Sequence, residues 1–479
     1  MGQADTAAEI EAIKSVVGKY FPIYDIKVTQ DSLLIYVNPD PVSLKSNFEK
    51  LRKELGEKSY IPFIDYKSGE HIIHIARKPE IRRRGIWINW LLLAATFVST
   101  VVAGAYWWAS YSSNNELFAP DNLLWGAVFF AIPLMSILGA HELSHFLMSR
   151  RYGVDASLPF FIPSIPPLGT FGAFISMRDP MPDRKALVDI GVAGPLGGLL
   201  VTIPVAVIGL FLTSQGGVHQ GSIGESGAMG FMMAPLFELL TYIIPIPPGV
   251  VIHPMAFAAW VGMLVTAINL LPAGQLDGGH IARGLLGEKA RYLSYATIVG
   301  LFIMSLFYVG WMIFGFIILF LGLRHPAPLN DISKIDIRRK VVGAIALVVL
   351  VATFTPIPVV EIPADHAYEI NVIGSNTTTV APNEVAIFNM TVSNTGNIDN
   401  LMQLNVLQIP SGWTANLSLS DQQSANATST LDFVLPYKNS TNVTMQIVVP
   451  AMATPSNIVL QAASNDRESI IVFRVQISS

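Results

Sequence analysis

Between residues 87 and 359 the chain is a succession of apolar stretches, most of them long enough to cross the roughly 30 Å of hydrocarbon in a bilayer. Stretches 87–108, 123–148, 186–212, 250–271 and 341–359 each read as one span. Stretch 293–323 has 31 nearly uninterrupted apolar residues, too many for one untilted helix, and reads as a tight hairpin turning near 308–311. The pattern therefore predicts about seven spans. Residues 153–184 differ: Pro159, Pro163, Pro166, Pro167, Gly169 and Gly172 interrupt the apolar positions, which suits a re-entrant loop rather than a spanning helix. A partial interfacial helix is expected over 231–244, before Pro245, Pro247 and Pro248.

On either side the periodicity changes. Residues 1–80 alternate helical and strand patterns: helices at 6–18 and 41–55, strands at 23–29, 33–37, 61–66 and 71–76. That is a small α/β domain. Residues 366–479 turn to Asn, Ser, Thr and β-branched residues in short alternating runs, such as 385–392, 401–408 and 443–449, and read as one Ig-like β-sandwich. The fold class is thus a polytopic α-helical membrane protein, its membrane domain over 86–360, with a small N-terminal α/β domain and a C-terminal all-β sandwich.

Charge gives this outline a direction. Lys78 and Arg82 to Arg84 precede the first span, Arg150 and Arg151 follow the second, and Arg178, Arg184 and Lys185 flank the re-entrant stretch. Arg283, Lys289 and Arg291 follow the fourth span, and Arg324, Lys334 and Arg338 to Lys340 precede the last. Segments 109–121 and 214–249 have no Lys or Arg. Basic residues mark the inner side, so the N-terminal domain is expected in the cytoplasm and the sandwich outside, in a multi-pass protein of the cell membrane. Six Asn-x-Ser/Thr sequons, at Asn376, Asn389, Asn416, Asn426, Asn439 and Asn442, all fall in the sandwich and make it a glycoprotein candidate. The segment from Ala7 to Tyr20 lacks the apolar core of a cleavable signal peptide.

Composition agrees: 51% apolar and 13% charged residues, with a mean hydropathy of +0.48, exclude a wholly soluble protein. A net charge of −4 gives no reason to expect nucleic acid as a partner. With no cysteine, any metal site must be built from nitrogen and oxygen.

The second span carries such donors. His141-Glu142-Leu-Ser-His145 sets two imidazoles one turn apart on one helix face, with a carboxylate beside them. Three ionisable residues inside an apolar span are costly unless they face a protected interior. Two histidines do not complete a catalytic zinc site, and Asp277, at the inner end of the fourth span, is the best third ligand because spans two and four both reach the inner leaflet there. Asp277-Gly278-Gly279 taken alone also reads as a plain turn. His253 and His280 are not counted as ligands: the first is expected at the outer end of span four, the second at an aqueous rim. Two other functions fit polytopic chains with buried His and Asp, a metal-ion carrier and a silent scaffold. A carrier predicts ionisable residues spread through repeated halves, which are not seen here.

The pair of motifs, His141-Glu142-x-x-His145 and the distant Asn269-x-x-Pro-x-x-x-Leu-Asp277-Gly, resembles the site-2 proteases, polytopic intramembrane zinc metalloproteases, over roughly residues 120–325. The resemblance implies one Zn2+ held by His141, His145 and Asp277, Glu142 as general base, and a role near the scissile bond for Asn269. It also implies a single-span transmembrane protein as substrate, met within the lipid bilayer. Residues 168–175 could offer that substrate a strand edge, and Gly191 to Gly198 suits close helix packing beside the active helix.

Overall fold

The computed structural model describes residues 3–29, 33–79, 85–114, 116–216, 227–247, 250–323, 325–420, 429–465 and 467–478. Arg82 to Arg84, Arg324 and the sequon at Asn426 lie outside them. The chain forms two compact units, Met1–Val218 with Met232–Pro358, and His219–Phe231 with Val359–Ser479.

The first unit begins with α1 (Gln3–Gly18), β1 (Ile23–Val28), β2 (Leu33–Val37), α2 (Leu44–Glu57), β3 (Tyr60–Lys67) and β4 (Glu70–Arg77). The strands form an antiparallel sheet in the order β1-β2-β4-β3. Alternation along β2 and β4 sends Leu33, Ile35, Ile73 and Ile75 to one face, where Val17 of α1 and Phe48, Leu51 and Leu55 of α2 cover them. One further residue enters this core from far along the chain, Leu329, 5% exposed.

The apolar region follows. Helix α3 (Trp87–Ser112) precedes α4 (Pro120–Gly126), a π-turn at Ala127–Ala131 and α5 (Ile132–Arg151), which together make one 32-residue helix. α3 and α4 touch through backbone: a Cβ on Gly104 would lie 2.3 Å from the Gly126 carbonyl oxygen. The re-entrant stretch is an antiparallel hairpin of β5 (Phe160–Pro163) and β6 (Thr170–Phe174). Its turn and flanks offer carbonyls to side chains of α3: Asn89 Nδ2 donates to Leu158 and Pro159 at 2.9 and 3.0 Å, Ser99 Oγ to Gly169 at 2.6 Å, and Trp107 Nε1 to Pro167 at 2.8 Å. Irregular backbone packed among apolar helices needs such donors.

Helix α6 (Arg184–Gly216) runs among the other helices of the core, followed by β7 (Ala228–Phe231) of the second unit, α7 (Pro235–Ile243), α8 (Pro254–Leu270), α9 (Asp277–Leu286), α10 (Ala290–Met304), α11 (Gly310–Leu321) and α12 (Ile337–Thr353). Among the described residues three helices are long and apolar enough to cross a membrane: α3, the α4–α5 helix and α6. Four stretches read as further spans are shorter, with 17, 15, 12 and 17 residues in α8, α10, α11 and α12. Local chain chemistry cuts them: Pro254 opens α8, Pro272 lies just beyond it, and Gly322, at a φ of 97°, ends α11. The run 293–323 is two helices broken at 305–309, not one. The helix expected over 231–244 is α7, shorter than its apolar run because Phe231 belongs to β7 and Pro235 opens the helix.

In the second unit β7 pairs with β8 (Val359–Ile362). Strands β9 (Tyr368–Ile373), β10 (Thr377–Val380), β11 (Val385–Asn394), β12 (Asn400–Gln408), β13 (Thr414–Leu419), β14 (Thr430–Leu435), β15 (Ser440–Val448), β16 (Ser456–Ser464) and β17 (Arg467–Ile477) follow. They make two sheets, β10-β17-β16-β12-β14 and β13-β15-β11-β9. Phe388, Met390, Met402, Met445 and Phe473 fill the core between them.

Candidate metal centre

Two rings come from α5 and one carboxylate from the first residue of α9. His141 and His145 are each 4% exposed and Glu142 is 6% exposed, all on the buried face of an otherwise apolar helix. The two Nε2 atoms lie 3.1 Å apart. Asp277 reaches both, with Oδ2 3.1 Å from His141 Nε2 and Oδ1 3.2 Å from His145 Nε2. A four-coordinate ion with ligands at about 2.0–2.1 Å holds neighbouring ligand atoms about 3.3 Å apart, so this spacing suits such an ion. Without one, two ring nitrogens would face each other and a carboxylate in a buried pocket. Among the described residues this is the one group of three or more such side chains that could hold a metal.

The surroundings fix each donor. His145 Nδ1 lies 2.8 Å from the Ile190 carbonyl of α6, which accepts its proton and leaves Nε2 as the free lone pair. α6 comes this close because it is glycine-rich: a Cβ on Gly194 would stand 2.0 Å from His145 Nε2, and one on Gly198 3.3 Å from the His141 ring. Asp277 owes its place to a tight bend after α8, where a Cβ on Gly278 would lie 2.1 Å from the Leu270 carbonyl oxygen. The Asp-Gly pair is thus both a turn and the presentation of a candidate ligand.

Glu142 Oε1 lies 4.0 Å from His141 Nε2, and the carboxylate sits beside the backbone amide of Ile175, at the end of the β5–β6 hairpin. Asn269, near the end of α8, brings Nδ2 to 3.3 Å from His141 Nε2. All five site residues read from the motifs therefore meet at one place. His253 does not: it is the N-cap of α8, at the opposite end from Asn269, ringed by Trp108, Tyr111 and Phe129. His280, one turn past Asp277, lines with Phe174, Ile175, Gln275 and His325 a cleft of about 560 Å³.

The model of peptidase family M50 matches residues 129–309, which contain every one of these site residues. Over that stretch the chain is similar to peptidase family M50. The resemblance to the site-2 proteases read from the motifs is borne out. The chain is 33% identical over 262 residues to "Probable zinc metalloprotease EGY1, chloroplastic" of Arabidopsis thaliana, covering 52% of this chain and 47% of that protein. It is 31% identical over 236 residues to the EGY1 protein of Oryza sativa subsp. japonica (47% and 40%), and 31% over 256 residues to EGY2 of Arabidopsis thaliana (51% and 45%). The chain spans less than half the length of these relatives.

Sequence reasoning missed two groups that shape the centre. The Ile190 carbonyl carries no signal in a sequence, being backbone. The hairpin amide at Ile175 was foreshadowed only by the Gly- and Phe-rich composition of 168–175.

Proposed function

We infer that the chain is a zinc-dependent intramembrane endopeptidase that hydrolyses peptide bonds in the transmembrane segment of a single-span protein. The carrying observation is the buried convergence of His141, His145 and Asp277, with Glu142 and Asn269 at its edge, in an otherwise apolar helical core. The zinc metalloproteases named among its relatives support zinc as the ion. Zinc bound to the three side chains supplies the Lewis acidity that activates water near neutral pH and polarises the scissile carbonyl.

The chain's own residues do the rest. Glu142 takes the proton from the attacking water and hands it to the leaving amine. Asn269 donates from Nδ2 to the oxyanion or to the substrate backbone. The Ile190 carbonyl keeps His145 in one tautomer. A helical substrate hides its peptide bonds, so it is bound locally extended, and the hairpin running past Glu142 offers a strand edge for it. The cleft at His280 and His325 gives water and a polar product a route to the basic, cytoplasmic side.

In this reading the chain has three parts: a cytoplasmic domain over 1–80, a multi-pass protease domain over 86–360 in the cell membrane, and an outer sandwich over 366–479, the glycoprotein candidate. The test is purified protein with a tagged panel of single-span segments, with and without a zinc chelator. Glu142→Gln should retain zinc and lose cleavage. Unchanged cleavage by that variant would defeat the mechanism.

A further inference from the structure

Helix α9, whose first residue is the ligand Asp277, is tied along its length to groups outside the centre. At its end, Arg184 donates from Nε to the Gly284 carbonyl at 2.8 Å and from Nη2 to Leu285 at 2.9 Å. Arg283, only 6% exposed, makes a two-pronged ion pair with Asp331 at 3.1 and 2.6 Å. His280 meets the edge of the His325 ring at a centroid distance of 4.2 Å. His325 and Asp331 both belong to the connection between α11 and α12, which runs over α9 as an extended strap.

The strap is anchored at its middle in the N-terminal domain. Leu329 lies in the hydrophobic core of that domain, against Phe48, Leu51, Leu55 and Ile64, and Ile332 packs at its margin. The Ile64 amide of β3 donates to the Leu329 carbonyl at 2.8 Å, so the strap adds main-chain pairing to the free edge of the sheet. On its other side, the Leu329 and Asn330 amides donate to the carbonyls of Met181 and Pro182 at 2.8 and 3.0 Å. Asn330, 2% exposed, accepts with Oδ1 from the amides of Ile332 and Ser333 and fixes the bend that aims Asp331 at Arg283.

We propose that the strap 325–331 couples the N-terminal domain to the metal centre, with Arg283 and Asp331 as positioning residues that hold α9 where Asp277 can ligate. The physical reasoning is one of rigidity. A ligand at the first residue of a ten-residue helix is only as well placed as the helix, and the last turn of α9 is secured by a charge pair of buried Arg283 with half-buried Asp331, which is held by the folded N-terminal domain. Loosening the domain therefore loosens the ligand, without any change in the ligand set. The N-terminal domain, which has no chemical motif of its own, thereby gains a way to act on the reaction. This inference rests on the zinc-protease reading.

The test uses the full chain with Leu329→Ala, Asp331→Asn and Asp331→Glu. In metal-free protein, hydrogen exchange over 277–286 should rise in Leu329→Ala and Asp331→Asn and stay near wild type in Asp331→Glu. In cobalt-loaded protein the visible absorption band should shift in the same two variants, and release to a chelator should be about tenfold faster. A merely local stabilising role for the ion pair would leave Leu329→Ala unchanged on both measures, and that result overturns the proposal. Exchange over β2 and β4 reports whether the N-terminal domain of Leu329→Ala is folded. If it is unfolded, the strap has lost its anchor, and unaltered exchange over 277–286 overturns the proposal as well. Wild-type protein that neither retains zinc nor cleaves would defeat the protease reading, while exchange in the metal-free chain judges the strap by itself.

Discussion

Replacing Gly194 with Ala adds one methyl group to the middle of a helix, where propensity alone favours Ala by about 1 kcal/mol. The structure predicts the opposite for function. The new Cβ would stand 2.0 Å from His145 Nε2 and 2.5 and 2.6 Å from the adjoining ring carbons, against an ordinary contact of 3.4–4 Å. The difference, 3.4 − 2.0, is about 1.4 Å of displacement demanded of a ring whose other nitrogen is tied to the Ile190 carbonyl. Misplacement by about 1 Å costs a reaction about 10²-fold, so cleavage should fall by at least that factor. Two further variants calibrate the effect. Gly198→Ala meets the His141 ring at 3.3 Å, a clash relieved by a few tenths of an ångström, and should lose only part of the activity. Gly300→Ala has nothing within 4 Å and should behave as wild type. The measurements are zinc per chain after dialysis against a chelator and cleavage of a tagged single-span substrate. Wild-type zinc content and cleavage in Gly194→Ala would refute the reasoning that the glycines of α6 hold the space for the histidine rings.

Other outcomes follow from the same geometry. Glu142→Gln should keep its zinc and lose at least about 10² in rate, whereas His141→Ala and Asp277→Asn should lose the metal, as elemental analysis would register. Asn269→Ala should lower kcat by about 10²–10³ with little change in KM if its amide serves the transition state; an effect confined to KM would assign it to substrate binding instead. In the sandwich, buried Asn394 donates to the carbonyls of Ile398 and Leu435 at 2.7 and 3.0 Å and accepts from the Gly396 amide at 3.0 Å. Asn394→Ala strands those groups and should cost on the order of 3 kcal/mol, seen as earlier thermal unfolding and faster proteolysis of that unit; an unshifted transition would contradict this.

What the sequence made legible was what periodicity and parity control. His141 and His145 share a face because they stand four residues apart in a helix, and Asp277 was assigned to the same leaflet by counting spans from basic clusters. The N-terminal elements follow their pattern within a few residues, for instance α1 against 6–18 and β4 against 71–76. Hydropathy overstated the length of the later helices, since an apolar window does not sense that Pro254 opens α8 and Gly322 ends α11 inside it. Nothing local announced the strap. Ala327-Pro328-Leu329-Asn330 has no period, and Leu329 belongs to a core formed by residues 13–75, a relation only the folded chain contains.

The π-turn at Ala127–Ala131 divides the helix that carries His141 into two halves with separate obligations. The N-terminal half must keep Gly126 against Gly104; the C-terminal half must keep both histidines toward Asp277. One extra residue in the turn sets the angle between these faces, as a β-bulge does in a strand. Deleting a residue there would restore a regular helix yet rotate one face away from its partner by roughly 100°. The site is thus sensitive to chain length at a point about three turns from His141, where substitutions that conserve length and apolarity should be absorbed.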